Sequence, residues 1–115
     1  MTRDHIPLTD RIRTALAAEP STREVSMFGG LSFMVNEKIA VAVQRDGDLL
    51  ARVDPDRNHE LLALPGAEPA EMGAGRVMGP GWIRVAEEAL TADRDLSFWI
   101  GAALAYNTQL GTDSR

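Results

Sequence analysis

The sequence predicts an α+β domain in two layers, an antiparallel sheet of about five strands with helices packed against it, in the order α-β-β-β-α-β-β-α. Three observations carry this reading. Apolar residues recur at helical spacing near the start of the chain, around Ile12, and again near its end, from Leu96 to Asn107. Between these lie three short apolar runs, Leu31 to Val35, Ile39 to Val43 and Leu49 to Val53. The runs are joined by tight polar turns, and connections that short pair antiparallel neighbours, since a parallel return needs about a dozen residues or more.

The first helix follows Thr9, a capping residue type. Asp10 sits in its first turn, where a carboxylate meets the positive end of the helix dipole. Leu8, Ile12, Ala15 and Leu16 share its apolar face, and Pro20 ends it. Ser21 to Glu24 reads as a connection. Met27-Phe28-Gly29-Gly30 then leads into the first strand, Leu31 to Val35. Asn36-Glu37-Lys38 turns the chain back into Ile39 to Val43, whose continuous apolar run suits a strand covered on both faces. Arg45-Asp46-Gly47-Asp48 makes the next turn, and Leu49 to Val53 returns as the third strand.

Asp54-Pro55 starts the second helix. The Asp54 carboxylate can accept from free backbone N–H groups, and a proline at the first position has no N–H to lose. Leu61, Leu62 and Leu64 give this helix its apolar side, and Pro65-Gly66 stops it. Ala67 to Ala74 reads as a loop, with at most a short strand near Met72. Arg76-Val77-Met78 and Trp82-Ile83-Arg84-Val85 read as a strand pair around Gly79-Pro80-Gly81. The last helix spans Asp93 to Gln109, with Leu96, Trp99, Ile100, Ala103, Leu104 and Asn107 on one stripe. Gly101, Ala102 and Ala105 widen that stripe with small side chains, and Gly111 to Arg115 forms a polar tail.

The chain has 115 residues, which fits one domain over 1–115 with a core from about residue 9 to 110. A chain of this size buries roughly two-thirds of the surface its unfolded form exposes. There is no cysteine, so disulfides, thiolate metal sites and cysteine nucleophiles are excluded. Absence of cysteine also fits a cytoplasmic protein. The N-terminus lacks the apolar core of a signal peptide. The longest run without a polar or charged side chain, Phe98 to Tyr106, falls far short of the roughly 20 residues a membrane span requires. The net charge of -5 opposes a phosphate backbone, and the twelve Lys and Arg are scattered. Direct nucleic-acid binding is therefore disfavoured.

Several pieces of the chain together resemble the N-terminal domain of the TfoX/Sxy family, a bacterial family whose founding members regulate competence. They are Met27-Phe28-Gly29-Gly30-Leu31 with Phe33, Leu49-Leu50-Ala51-Arg52-Val53-Asp54-Pro55, Pro65-Gly66-Ala67, Gly75-Arg76-Val77-Met78, Gly81-Trp82-Ile83-Arg84-Val85, and Trp99 with Ala105-Tyr106. The likeness covers about Thr9 to Leu110. It implies a small α+β domain, similar in plan to type III secretion chaperones, with no known enzyme activity, and it points to no cofactor and no metal. In competence regulators a C-terminal domain, similar to helix-hairpin-helix modules, follows. The chain ends near the last helix and is expected to be a stand-alone copy without it. Trp82 stands where relatives carry Tyr, and Ala86 where many carry Pro.

Phosphate loops need glycine followed by a helix N-terminus, but Gly29-Gly30 precedes a strand, so a turn or bulge is the better reading. Asp56, His59 and Glu60 are spaced for one helical face, which ordinarily is only a solvated surface. His5 lies near the terminus. No serine sits in a G-x-S-x-G turn, and the acid pairs Glu87-Glu88 and Asp93-Asp95 flank a helix start, where the dipole explains them. No catalytic set is expected. Arg52 and Arg76 interrupt apolar runs and Trp82 lies nearby in sequence. These three are the candidate contact for a partner or ligand, since arginine and tryptophan are enriched at interface hot spots. The expected function is a non-catalytic interaction or regulatory module, which the resemblance connects to transcription or competence. A homodimer through a sheet face or the last helix is one expected assembly. The alternative is a small-ligand-binding domain with a pocket between helix and sheet near Arg52, Arg76 and Trp82; an enzyme of unknown type ranks below both.

Overall fold

A computed structural model of the chain describes residues 8–19, 21–27, 30–44, 47–71 and 75–113. The fold is α+β. Helix α1 (Leu8–Ala15) precedes three strands, β1 (Thr22–Met27), β2 (Gly30–Val35) and β3 (Lys38–Val43), and then β4 (Leu49–Arg52). A 3-10 turn at Pro55–Arg57 runs into α2 (Asn58–Leu62), followed by β5 (Ala67–Pro69) and β6 (Trp82–Val85). A second 3-10 turn, Glu87–Leu90, leads into α3 (Asp93–Asp113). The strands form one open six-stranded sheet in the order β1-β2-β3-β4-β6-β5, and every neighbouring pair is antiparallel. Among the described residues no helix is long and apolar enough to cross a membrane.

The element pattern read from the sequence holds, with four corrections. Thr9, expected to cap α1, lies inside it, since the helix already includes Leu8. β1 occupies part of the segment expected to be a connection, making six strands where about five were anticipated. The partner of β6 on its outer side is Ala67–Pro69, not Arg76–Met78. That latter segment makes only an isolated bridge, Glu71 to Val77, and continues the ladder through Met78 N–H donating to the Ala70 carbonyl at 2.8 Å. Finally, α3 runs past Gln109 to Asp113, into the segment expected to be a tail. The expectations for His5, Pro20, Phe28, Gly29, Arg45, Asp46 and Met72 to Ala74 lie outside the described residues.

Turn chemistry fixes the meander. Asn36 and Glu37 both take positive φ, 55° and 68°, which matches the right-handed twist of the two strands they join. Gly30 starts β2 so close to β3 that a Cβ there would overlap the Val43 carbonyl oxygen. A bulge between β2 and β3 places Phe33 opposite Val41 but Met34 opposite Ile39, so Ala40 is the extra residue. Ala40 and Val41 consequently both belong to the core.

The core lies between the sheet and the helices. Phe33, Val41, Val43, Leu49, Ala51, Ile83 and Val85 face it from the strands, and Leu8, Ile12 and Leu16 close it from the α1 segment. Ala15, expected on that face, is exposed. α3 contributes Leu96, Trp99, Ile100, Ala102 and Ala103, while Gly101 and Ala105 face solvent and do not widen the stripe. The other face of the sheet carries a small second cluster, in which Ala42 and Leu50 pack with Ala70, Met78 and Trp82. Its cover is the excursion between β5 and β6. The second helix starts as its sequence implies, with the Asp54 carboxylate accepting from Asp56 N–H at 2.9 Å and Pro55 at the first position.

Candidate functional site

Arg52 is the last residue of β4 and lies directly across from Trp82, the first residue of β6. Directly paired residues share a face, so the two side chains meet on the side away from the main core. The Arg52 guanidinium carbon lies 5.1 Å from the Trp82 ring centroid. It also lies 5.8 Å from the ring of Tyr106, which α3 delivers to the same end of the strand. Both distances fall within cation–π range. The sequence brought Arg52 and Trp82 to attention but not Tyr106. Its one available signal was position: Tyr106 falls on α3 next to the buried Asn107, three residues past the core residue Ala103.

Arg76 does not join them. It is exposed, in the excursion between β5 and β6, and makes no hydrogen bond or ion pair with the described residues. The candidate trio thus splits into a fixed pair, extended by Tyr106, and an outlying cation.

The end of β4 is held firmly. Val53 N–H donates to the Gly81 carbonyl at 2.7 Å, and Gly81 N–H donates to the Asn58 side-chain oxygen at 2.9 Å. Gly81 takes φ +91°, and a Cβ on it would come within 2.7 Å of the Val53 carbonyl oxygen. The turn that presents Trp82 is therefore fastened both to β4 and to α2.

The electrostatic setting of Arg52 differs from that of its neighbours. Arg11 reaches Asp93 at 3.1 Å, Arg57 reaches Glu60 at 3.1 Å, and Arg84 reaches Asp48 at 2.7 Å. These three, like Arg52, are half-buried. Arg52 has no carboxylate among the described residues; two aromatic rings hold it instead. Asp48 takes a second bond, accepting from Glu87 N–H at 3.0 Å, so the Arg84–Asp48 pair is a clamp between β6, β4 and the following turn. On the outer surface Arg13 donates to both carboxylate oxygens of Glu24, at 2.6 and 2.9 Å. That pairing holds the Glu24 carboxyl below the ordinary carboxylate range.

Of the remaining candidates, His59 and Glu60 lie exposed on α2, and Glu60 is the partner of Arg57. No group of three or more metal-ligating side chains comes together among the described residues.

The architecture and the motif positions agree with one known domain: the family model of the TfoX N-terminal domain matches residues 14–106. The chain belongs to the TfoX N-terminal domain family. No curated protein and no solved structure matches it. Within this TfoX N-terminal domain, three of the sequence pieces that resemble the family meet at a single place. Leu49 to Pro55 supplies Arg52, Gly81 to Val85 supplies Trp82, and the end of α3 supplies Tyr106.

Proposed function

We propose that this TfoX N-terminal domain is a non-catalytic interaction module of the bacterial cytoplasm, in a transcription- or competence-related regulatory role. It docks a protein partner through Arg52, Trp82 and Tyr106. The supporting observation is the state of Arg52, a half-buried cation held over two rings without a carboxylate in a chain of net charge -5. Arginine, tryptophan and tyrosine are the residue types most enriched at binding hot spots. A guanidinium lying over ring faces has no N–H donor spent on a carboxylate there, so its fork can take a planar carboxylate from a partner. The partner surface that fits is an acidic side chain ringed by apolar contacts. Arg76, exposed on the excursion between β5 and β6, is not part of this docking set.

The test is affinity capture with the wild-type chain beside folded Arg52→Ala and Trp82→Ala variants. A partner retained by the wild type and lost by both variants is expected. Equal capture by all three removes the reading.

The same unspent fork supports a second reading, a domain that binds a small carboxylate between helix and sheet. Thermal shift against a panel of small carboxylic acids separates the two. A hit that disappears in Arg52→Ala and weakens in Arg76→Ala favours the small ligand, and a flat panel leaves the protein partner.

A further inference from the structure

We infer that β1 is a dimerisation edge, pairing antiparallel with β1 of a second copy of this chain about a two-fold axis at Val25. The two open sheets then become one continuous sheet.

The two edges of the sheet are unlike. The β5 edge is only Ala67–Pro69, and Pro69 has no N–H to offer. Short length and proline are common guards against edge pairing. The β1 edge is Thr22–Met27, in unbroken register with β2 and without proline or bulge. Charged side chains are the other usual guard, yet both on β1 are neutralised within the chain. Arg23 is held by Glu37 at 2.6 Å and Glu24 by Arg13 at 2.6 Å.

The register decides which backbone groups are available. Met27 pairs with Gly30 across a two-residue connection, so these two exchange both hydrogen bonds. Val25 and Arg23, at alternate positions, do the same with β2. Thr22, Glu24 and Ser26 therefore turn their N–H and C=O outward. Thr22 N–H is already spent on the Glu19 carbonyl at 3.3 Å, which agrees with that parity. Glu24 and Ser26 are left with both groups to offer a neighbouring strand.

Three two-fold registers pair Glu24 and Ser26, the residues with both groups to offer, with one another or with themselves. Centring on Glu24 sets two carboxylates face to face, which is unfavourable. Centring on Ser26 bonds one residue pair before running into the hairpin connection. Centring on Val25 sets Glu24 opposite Ser26 of the second copy, twice, with both hydrogen bonds made in each pair. Val25 then faces Val25 of the second copy in the close, non-hydrogen-bonded position, where β-branched side chains pack well. This self-complementarity commits the edge to a second copy of the chain rather than to an unrelated strand.

The chain has no cysteine, so Val25→Cys introduces a single thiol at the predicted axis. Under mild oxidation Val25→Cys should form a covalent dimer rapidly. Val77→Cys, exposed on the excursion away from β1, should cross-link only at the collisional rate. Sedimentation of the wild-type chain should show a concentration-dependent dimer. Ser26→Pro removes an outward N–H without breaking the β1–β2 ladder, so it should sediment as a monomer with unchanged circular dichroism. A wild-type chain that stays monomeric at the highest concentration overturns the inference. So does a dimer that persists in Ser26→Pro, or Val25→Cys cross-linking no faster than Val77→Cys. Should Ser26→Pro fail to fold, the Val25→Cys rate decides alone.

Discussion

Asn107 donates from its side-chain amide to the Val35 carbonyl at 2.9 Å, tying the second half of α3 to the end of β2. Its oxygen meanwhile accepts from the Asn36 amide at 3.3 Å, so one buried side chain fixes the helix to the β2–β3 turn. Asn107→Leu keeps similar bulk but removes the amide bond to the Val35 carbonyl, which keeps its ladder partner Lys38, and the acceptor of the Asn36 amide. A loss of about 0.5–1.5 kcal/mol is expected, read by urea unfolding, with little change in the m-value.

Two glycines should respond in opposite directions. Gly30→Ala drives a Cβ into the Val43 carbonyl and must push β2 and β3 apart. A loss on the order of 1–3 kcal/mol is expected, as for other overpacking changes. Gly101 is exposed inside α3, and a Cβ there meets nothing within 4 Å. Gly101→Ala should therefore raise stability by roughly 0.5–1 kcal/mol through helix propensity. Thermal unfolding of the two variants beside the wild type checks both signs.

The Arg52–Trp82 pair should matter little for folding and much for binding. A double-mutant cycle with Arg52→Met and Trp82→Leu should return a coupling of about 0.5–1 kcal/mol, the usual range for an exposed cation–π pair. A coupling well above that would assign the pair to the scaffold rather than to a contact surface.

Asp48 accepts from both Arg84 and the Glu87 N–H, whereas Arg84→Ala deletes only the first of these bonds. Asp48→Ala should accordingly cost more, by about 1–2 kcal/mol, because the Glu87 N–H also loses its acceptor. Denaturant midpoints of the two variants give the comparison.

The Arg13–Glu24 pair sets a pH dependence. The folded chain holds Glu24 at a depressed pKa, so the unfolded state binds its proton first as pH falls. The contribution is present above the ordinary carboxylate value and is lost as pH drops through the lower folded value. Glu24→Gln should be less stable than the wild type at neutral pH, and the gap should close in acid. A gap that is constant with pH would show that charge is not its origin.

The fold was legible wherever burial leaves a pattern in the sequence. Leu96, Trp99, Ile100 and Ala103 repeat at helical spacing because α3 buries one stripe, and Ile39 to Val43 is apolar because both faces of β3 are covered. β1 was hidden because an edge strand need not be apolar: Thr22 to Met27 holds two charged residues and shows no fully buried side chain among those described. Arg76 to Met78 misled for the opposite reason, since Val77 is 57% exposed and its apolar character reports no strand. At the candidate site, Arg52 stood out as a charge interrupting an apolar run, and Trp82 entered by its nearness in sequence to Arg76. Tyr106 became part of the site only through the packing of α3 against the sheet, which brings its ring to Arg52 and which no local pattern encodes.

The strand order β1-β2-β3-β4-β6-β5 also implies an order of assembly. The first four strands are neighbours in sequence as well as in space, so each pairing closes a short loop at low entropic cost. β6 can reach β4 only after the whole stretch from Val53 to Gly81 has been gathered in. The meander is therefore the natural early structure, and the second half of the sheet is added to a template already formed. Trp82 arrives with that second half and Tyr106 with α3, so the aromatic pair around Arg52 is among the last features of the native state to be completed.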